Sequence, residues 1–127
     1  MTFRRTGKRT LSDSIRIAAP PDKVWDLITT VAGITEWYDD WDTVEHATDD
    51  ERLQVGTSFR LIRHRGRRGD TALCRVTSLE APTRLCWVQY APHLPTMSVE
   101  FQLLCDTDRT DGTLLSHTRS WLEPNLA

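Results

Sequence analysis

Two hydrophobic periods alternate along this chain. Ser14-Ile15-Arg16-Ile17 alternates with period two, as a half-buried strand does. Pro20-Pro21 ends it, because neither residue can donate to a ladder. Pro21 suits the first position of a helix, and Asp22 sits where the helix dipole favours an anion. Val24, Leu27, Ile28 and Val31 then fall at i, i+3, i+4 and i+7, with Trp25 widening the same face. This predicts a helix broken by Gly33. Ile34, Trp37, Tyr38 and Trp41 share helical spacing again and predict a second helical turn. From Asp42 the period returns to two. Strands are predicted over 44–47, 57–65, 71–79, 85–90, 97–104 and 113–121, joined by turns rich in Gly, Pro and Asp. Consecutive strands with short turns read as an antiparallel meander. The order β-α-α-β-β-β-β-β-β is that of an α+β domain.

Composition narrows the class. The chain has 127 residues, 39% of them apolar, enough for one modest core. A formal net charge of −2 gives no global pull toward nucleic acid or anionic lipid. No run approaches the roughly 18 apolar residues of a membrane span. The three cysteines Cys74, Cys86 and Cys105 are odd in number and lack a C-x-x-C pair. That argues against a disulfide framework or zinc site and for a reducing, cytoplasmic setting. Residues 1–11 are basic, with Arg4, Arg5, Lys8 and Arg9, and lack the apolar core of a secretory signal. They are expected to be a solvated tail, with the folded domain over 12–127.

An ordered series of segments carries a resemblance. I-x-I-x-A-P-P-x-x-V-W-D-L from Ile15 is followed by Gly33-Ile34-x-x-Trp37, then Val55–Phe59, Arg75–Leu79, Pro82–Trp87 and Asp111–Leu115. Across residues 12–121 this series resembles the START-like, or Bet v 1-like (SRPBCC), superfamily, and within it the bacterial polyketide cyclase/dehydrase branch. The resemblance implies a helix-grip fold, in which a curved seven-stranded antiparallel sheet encloses an apolar pocket. It implies binding of lipids, sterols, polyketides or similar molecules, with aldol cyclisation and dehydration in some members and no cofactor; the alternatives are a non-catalytic carrier of hydrophobic ligands and a protein-interaction module. The family's long C-terminal helix is expected to be missing, since only Leu122–Ala127 follow the last predicted strand and Pro124 interrupts them; the chain is then a naturally shortened member, a cut form, or one whose sheet another chain covers. A concave sheet face left bare would favour association. A homodimer is therefore expected, the partner covering that face.

The family's apolar landmarks set an expected pleat. Phe59 and Leu61 inward bring Arg63 inward; Val76 brings Cys74; Leu85 and Trp87 bring Gln89; Phe101 and Leu103 bring Met97 and Val99; Leu115 brings His117, Arg119 and Trp121. A single bulge would invert any of these strands. The expected ligand site is an aromatic-lined cavity of Trp37, Tyr38, Trp41, Trp87, Phe101 and Trp121, with Arg63, Gln89, His117 and Arg119 as polar groups. The tryptophans serve equally as core. His117 is the candidate general base, Arg119 or Arg63 the cation for a developing enolate, and Tyr38 a donor. The alternative for His117 is a plain hydrogen bond to a neighbouring strand. His93 is a candidate for the rim.

Two further segments carry less. The stretch 60–68 holds five arginines and no acid, but lacks aromatics for base stacking. It reads as a solvated hairpin tip touching a phosphate or an acidic acyl carrier protein, not as a nucleic-acid site. Asp106–Gly112 lacks the closing glutamate and flanking helices of a calcium loop and reads as a turn.

Overall fold

The structure is a computed structural model that describes residues 5–38, 40–46, 51–65, 68–108 and 111–125; of residues 5, 6, 65, 68, 124 and 125 it describes the backbone alone. Strand β1 (Arg5–Ile17) leads into helix α1 (Pro21–Ile28), a 3₁₀ turn (Val31–Gly33) and helix α2 (Ile34–Trp37). Strands β2 (Thr43–His46), β3 (Ser58–Arg65), β4 (Arg68–Glu80), β5 (Arg84–Tyr90), β6 (Met97–Cys105) and β7 (Thr113–Asn125) follow. They form one antiparallel sheet in the order β1-β7-β6-β5-β4-β3-β2. The meander from β2 to β7 is thus completed by β1 alongside β7. This is the helix-grip arrangement. No long helix follows β7 among the described residues.

The basic tail expected over residues 1–11 is strand from Arg5 onward. Thirteen residues of β1 pair with β7, from Arg5 opposite Asn125 to Ile17 opposite Thr113. The partner strand explains the length: β7 runs past Trp121, where β6 has already ended at Met97. Beyond that point β7 and β1 form a two-stranded ribbon. Pro124 is tolerated there because no third strand needs its missing N–H.

Helix α1 is shorter than its apolar spacing predicts. Val24, Trp25 and Ile28 are buried, but Leu27 is 44% exposed. Thr29 and Thr30 end the helix by turning their hydroxyls back to the carbonyls of Trp25 and Asp26, each at 2.7 Å. The following backbone is captured by the chain before β3: Leu53 donates to the Thr29 carbonyl at 2.7 Å and Val31 to the Glu51 carbonyl at 2.9 Å. Val31 is fully buried, but in the 3₁₀ turn and not as the last turn of α1.

The expected pleat holds from Phe59 and Leu61 across to Leu103, with one local change. A bulge in β4 pairs Val76 with Trp87 but Ser78 with Cys86, leaving Thr77 extra. Leu79 thereby comes opposite Leu85 on the inner face, where strict alternation from Val76 would turn it out. The bulge is anchored by two backbone bonds, from Gly56 to the Val76 carbonyl (2.8 Å) and from Val76 to the Thr57 carbonyl (2.9 Å).

The inner face is not bare. Phe59, Leu61, Val76, Leu85, Trp87, Val99, Phe101 and Leu103 are all at most 2% exposed. Val24, Ile28, Val31, Ile34, Tyr38, Trp41 and Leu53 cover them from the other side. The expected uncovered concave face is therefore absent over most of the sheet. Among the described residues, the large apolar side chains left exposed on that side of the sheet are Leu11 and Ile15 of β1.

Candidate functional site

Residues opposite each other on paired strands share a face. On β7, Leu115, His117 and Arg119 lie opposite Leu103, Phe101 and Val99 of β6. On the other side they face Ile15, Asp13 and Leu11 of β1. The buried β6 residues fix this as the inner face, so the imidazole and guanidinium rise beneath the helical cover. That cover is α2, a single turn whose last residue Trp37 and whose successor Tyr38 lean onto Phe101, with ring centroids 5.0 and 5.8 Å away.

Between these elements lies a cavity of about 300 Å³. Its apolar wall is Ile15, Trp37, Tyr38, Phe101 and Leu115; its polar groups are Asp13, Asp40, His117 and Arg119. His117 is held by rings on two sides. It stacks on Phe101 at 4.7 Å with planes 7° apart, and meets Tyr38 edge-on at 5.2 Å and 90°.

The electrostatics follow from burial. Loss of water lowers the His117 pKa to about 4, and the neighbouring Arg119 cation pushes the same way; Asp40 and Asp13 oppose it. The imidazole is neutral at pH 7. Burial raises the Tyr38 phenol well above its ordinary value, so it stays protonated as a donor. Among the described residues, three polar atoms of this cavity are buried with no hydrogen-bond partner: Trp37 Nε1, His117 Nε2 and Arg119 Nε. Leaving such groups unsatisfied typically costs ~1–3 kcal/mol each.

The other residues expected at the site lie elsewhere. Trp87 is 1% exposed and sits beneath Tyr38 and Phe101 as core. Its indole N–H donates to Gln89 Oε1 at 3.3 Å, which also receives the Cys74 thiol at 3.7 Å. The Gln89 carbonyl oxygen is thereby engaged inside the core. Arg63 lies over the Trp41 ring at 5.0 Å and pairs with Asp70 at 2.9 Å, on β3 away from His117. Trp121 donates to Glu123 Oε1 at 2.9 Å and lines a wider depression of about 640 Å³ with Thr96, Ser98 and Leu122. That depression, like the one over Glu45, Ser58 and Arg60, contains none of the unpartnered buried atoms. His93 is exposed and not part of the cavity lining.

Asp13, Ile15, Asp40 and Leu115 complete the site without having been singled out as ligand contacts. The alternating pattern begins at Ser14 and does not mark Asp13; its place opposite His117 depends on the β1–β7 register. The arginine-rich hairpin is less cationic than its sequence, since Glu45 meets Arg60 at 3.8 Å and Asp70 meets Arg63. Residues 66 and 67 of its tip lie outside the described residues. The Asp106 turn binds an arginine: Arg16 reaches Asp106 at 3.2 Å and Asp108 at 2.7 Å.

The sequence model of the family described as "Polyketide cyclase / dehydrase and lipid transport" matches residues 8–124. The chain belongs to that family. Among solved structures it is similar to the ZhuI aromatase/cyclase from Streptomyces sp. R1128, at 22% identity and a TM-score of 0.73, covering 95% of this chain and 71% of that one. It is also similar to Mll3558 from Rhizobium loti, at 17% identity and 0.70, covering 93% and 81%. Ara h 8.0201 shares the fold at 11% identity and 0.69, covering 91% and 77%. No curated protein matches the sequence. Among the described residues no helix is long and apolar enough to cross a membrane.

Proposed function

We propose that the cavity under α2 takes a small hydrophobic molecule bearing carbonyl or hydroxyl oxygens, polyketide-like or lipid, and promotes its aldol-type cyclisation and dehydration. The observation that supports this is the convergence of Trp37 Nε1, His117 Nε2 and Arg119 Nε, buried and unpartnered, on one apolar cavity. Oxygen acceptors on a ligand would satisfy the two donors, Trp37 Nε1 and Arg119 Nε, and leave His117 Nε2 as an unprotonated acceptor facing the ligand, whereas a pure hydrocarbon would leave all three as they are. The family's description, which names both cyclases and lipid transport, is consistent with either role.

In this reading His117 acts in its neutral form. Its unprotonated Nε2 takes the proton from the carbon beside a carbonyl while the Arg119 guanidinium holds the enolate oxygen. That carbon bonds to a second carbonyl carbon of the ligand, whose C=O opens to an alkoxide that receives a hydrogen bond from Tyr38 and the proton from the imidazolium. A second abstraction at the same carbon, with that proton passed to the hydroxyl, expels it as water. A base of pKa about 4 is weak in the empty cavity. Burial and the Arg119 cation hold that basicity down, and Asp40 and Asp13 are the groups that oppose them. The reaction needs no cofactor. The three free cysteines fit a reducing cytoplasm. An acyl carrier protein delivering the substrate belongs to the same reading.

The second reading is a carrier, favoured by the weakness of His117 as a base. Native mass spectrometry of the freshly purified protein comes first: a co-purified ligand of a few hundred daltons is expected, and an empty cavity counts against both readings. His117→Ala and Arg119→Ala then separate them. A cyclase loses turnover at least ~100-fold, the usual reach of general acid–base catalysis, beyond whatever it loses in ligand affinity. A carrier changes in affinity alone.

A further inference from the structure

β1 ends the sheet, and among the described residues nothing pairs with its outer edge. An open edge thirteen residues long is unusual, because natural sheets keep such edges short, bulged or covered. Its inner-face side chains alternate as Arg9, Leu11, Asp13 and Ile15, and both apolar ones are more than half exposed. Asp13 and Ile15 also line the cavity, so whatever pairs with this edge reaches the site.

We propose that two copies of the chain join edge to edge through β1, antiparallel about a two-fold axis at Leu11, so that Arg9 of the partner subunit lies opposite Asp13 at the mouth of the cavity. The strand's own sequence selects this register. With Leu11 opposite its symmetry mate, Arg9 and Asp13 face each other twice, Lys8 faces Ser14, Thr10 faces Ser12, and Gly7 leaves room for Ile15. Neighbouring registers that keep both inner faces on one side are poorer. Centring on Arg9 or Asp13 opposes like charges at the axis, centring on Ser12 sets Lys8 against Arg16, and centring on Thr10 leaves Arg9 against Leu11. Such a contact is isologous and closed, so it stops at two copies.

The present partner of Arg9 does not prevent this. Arg9 meets Glu123 at 3.0 Å, but both side chains are largely solvated, at 61% and 45% exposure, and such pairs hold weakly. The pairing also changes the cavity. With His117 neutral, the described residues of its lining include two carboxylates, Asp13 and Asp40, against one cation, Arg119. The partner subunit's Arg9 balances that charge and favours a ligand oxygen that becomes anionic. This consequence rests on the ligand reading above; the assembly itself does not.

Sedimentation velocity on the full chain, from about 5 to about 200 µM, tests the assembly by mass alone. A ladder from one strand is small beside a standard interface, so dissociation is expected in roughly the micromolar range. Arg9→Asp and Asp13→Arg each place like charges opposite one another and should weaken the dimer at least ~tenfold. The double variant R9D/D13R restores opposite charges and should regain most of the wild-type association. Both positions are exposed strand sites, and circular dichroism checks that each variant folds. A wild-type monomer at every concentration would overturn the proposal. So would a dimer indifferent to either single change, or a double variant no better than the singles. Because no ligand is read out, failure here leaves the ligand reading standing, and an empty cavity leaves this one standing.

Discussion

The imidazole of His117 lies parallel to the Phe101 ring, 4.7 Å from it, because the β6–β7 register sets the two residues directly opposite one another. Tyr38 closes the edge of the stack. A side chain that could carry charge near neutral pH is thus walled by rings, and the Arg119 cation stands beside it. The free energy of folding becomes linked to the protonation of one residue.

The sign of that linkage follows from the direction of the shift. The His117 pKa falls from 6.5 to about 4 on folding, so the unfolded chain binds the proton more tightly. The contribution is complete above pH 6.5 and is lost as the pH falls toward 4. Urea unfolding at pH 7, 5.5 and 4.5 should show the wild-type midpoint dropping through this window by more than that of His117→Gln. Equal slopes for the two proteins would show that the imidazole is solvated.

Two aromatic truncations should separate floor from lid. Phe101 is 1% exposed beneath the cavity, and Phe101→Ala should cost about 3–5 kcal/mol. Trp37 is half-buried with its indole nitrogen unpartnered, so Trp37→Ala should cost less, about 1–2 kcal/mol, between surface and core values. Equilibrium denaturation gives both numbers. Equal costs would mean that Trp37 is core, and that the cavity is closed by another group.

Thiol chemistry reads the pleat directly. Cys105 is exposed, Cys86 is half-buried beside Glu100 at 3.6 Å with its pKa raised to about 11, and Cys74 is buried with its thiol bonded to Gln89. Since the thiolate is the reactive form, a disulfide reagent at pH 8 should label Cys105 first and Cys86 slowly. Cys74 should react only on unfolding. Peptide mapping of the labelled chain checks the order; early labelling of Cys74 would invert β4.

Much of this architecture was legible in local pattern. The proline pair fixed the β1–α1 junction, and period two placed Phe59, Trp87, Phe101 and His117 on one face, all within single strands. Less legible was what depends on distant partners. The length of β1 rests on β7 continuing beyond β6. The end of α1 rests on Thr29, Thr30 and the backbone of residues 51–53. The inward turn of Leu79 rests on a bulge tied to Gly56. The site shows the same division. His117, Arg119, Tyr38, Trp37 and Phe101 share the cavity, but Gln89 points the same way and its carbonyl oxygen is engaged by Trp87 and Cys74. Arg63 is drawn off by Asp70 and Trp41. Periodicity gives a face, not the hydrogen bond made on it.

Gly56 and Gly33 make opposite predictions from similar surroundings. At Gly56 a Cβ would meet nothing within 4 Å, yet φ is +92°. The residue turns the chain so that its N–H can reach the Val76 carbonyl at the β4 bulge. Gly56→Ala is therefore strained by the backbone alone and should cost about 1 kcal/mol or somewhat more. At Gly33 φ is −92° and the nearest contact of a Cβ would be the Glu36 carboxylate at 3.7 Å, the ordinary separation of touching atoms. Gly33→Ala fits there and removes freedom from the unfolded chain, which should stabilise by about 0.4–1 kcal/mol. Thermal or urea unfolding of the two variants should move in opposite directions. A loss at Gly33 as large as that at Gly56 would mean that the turn between α1 and α2 needs glycine for a reason other than its φ.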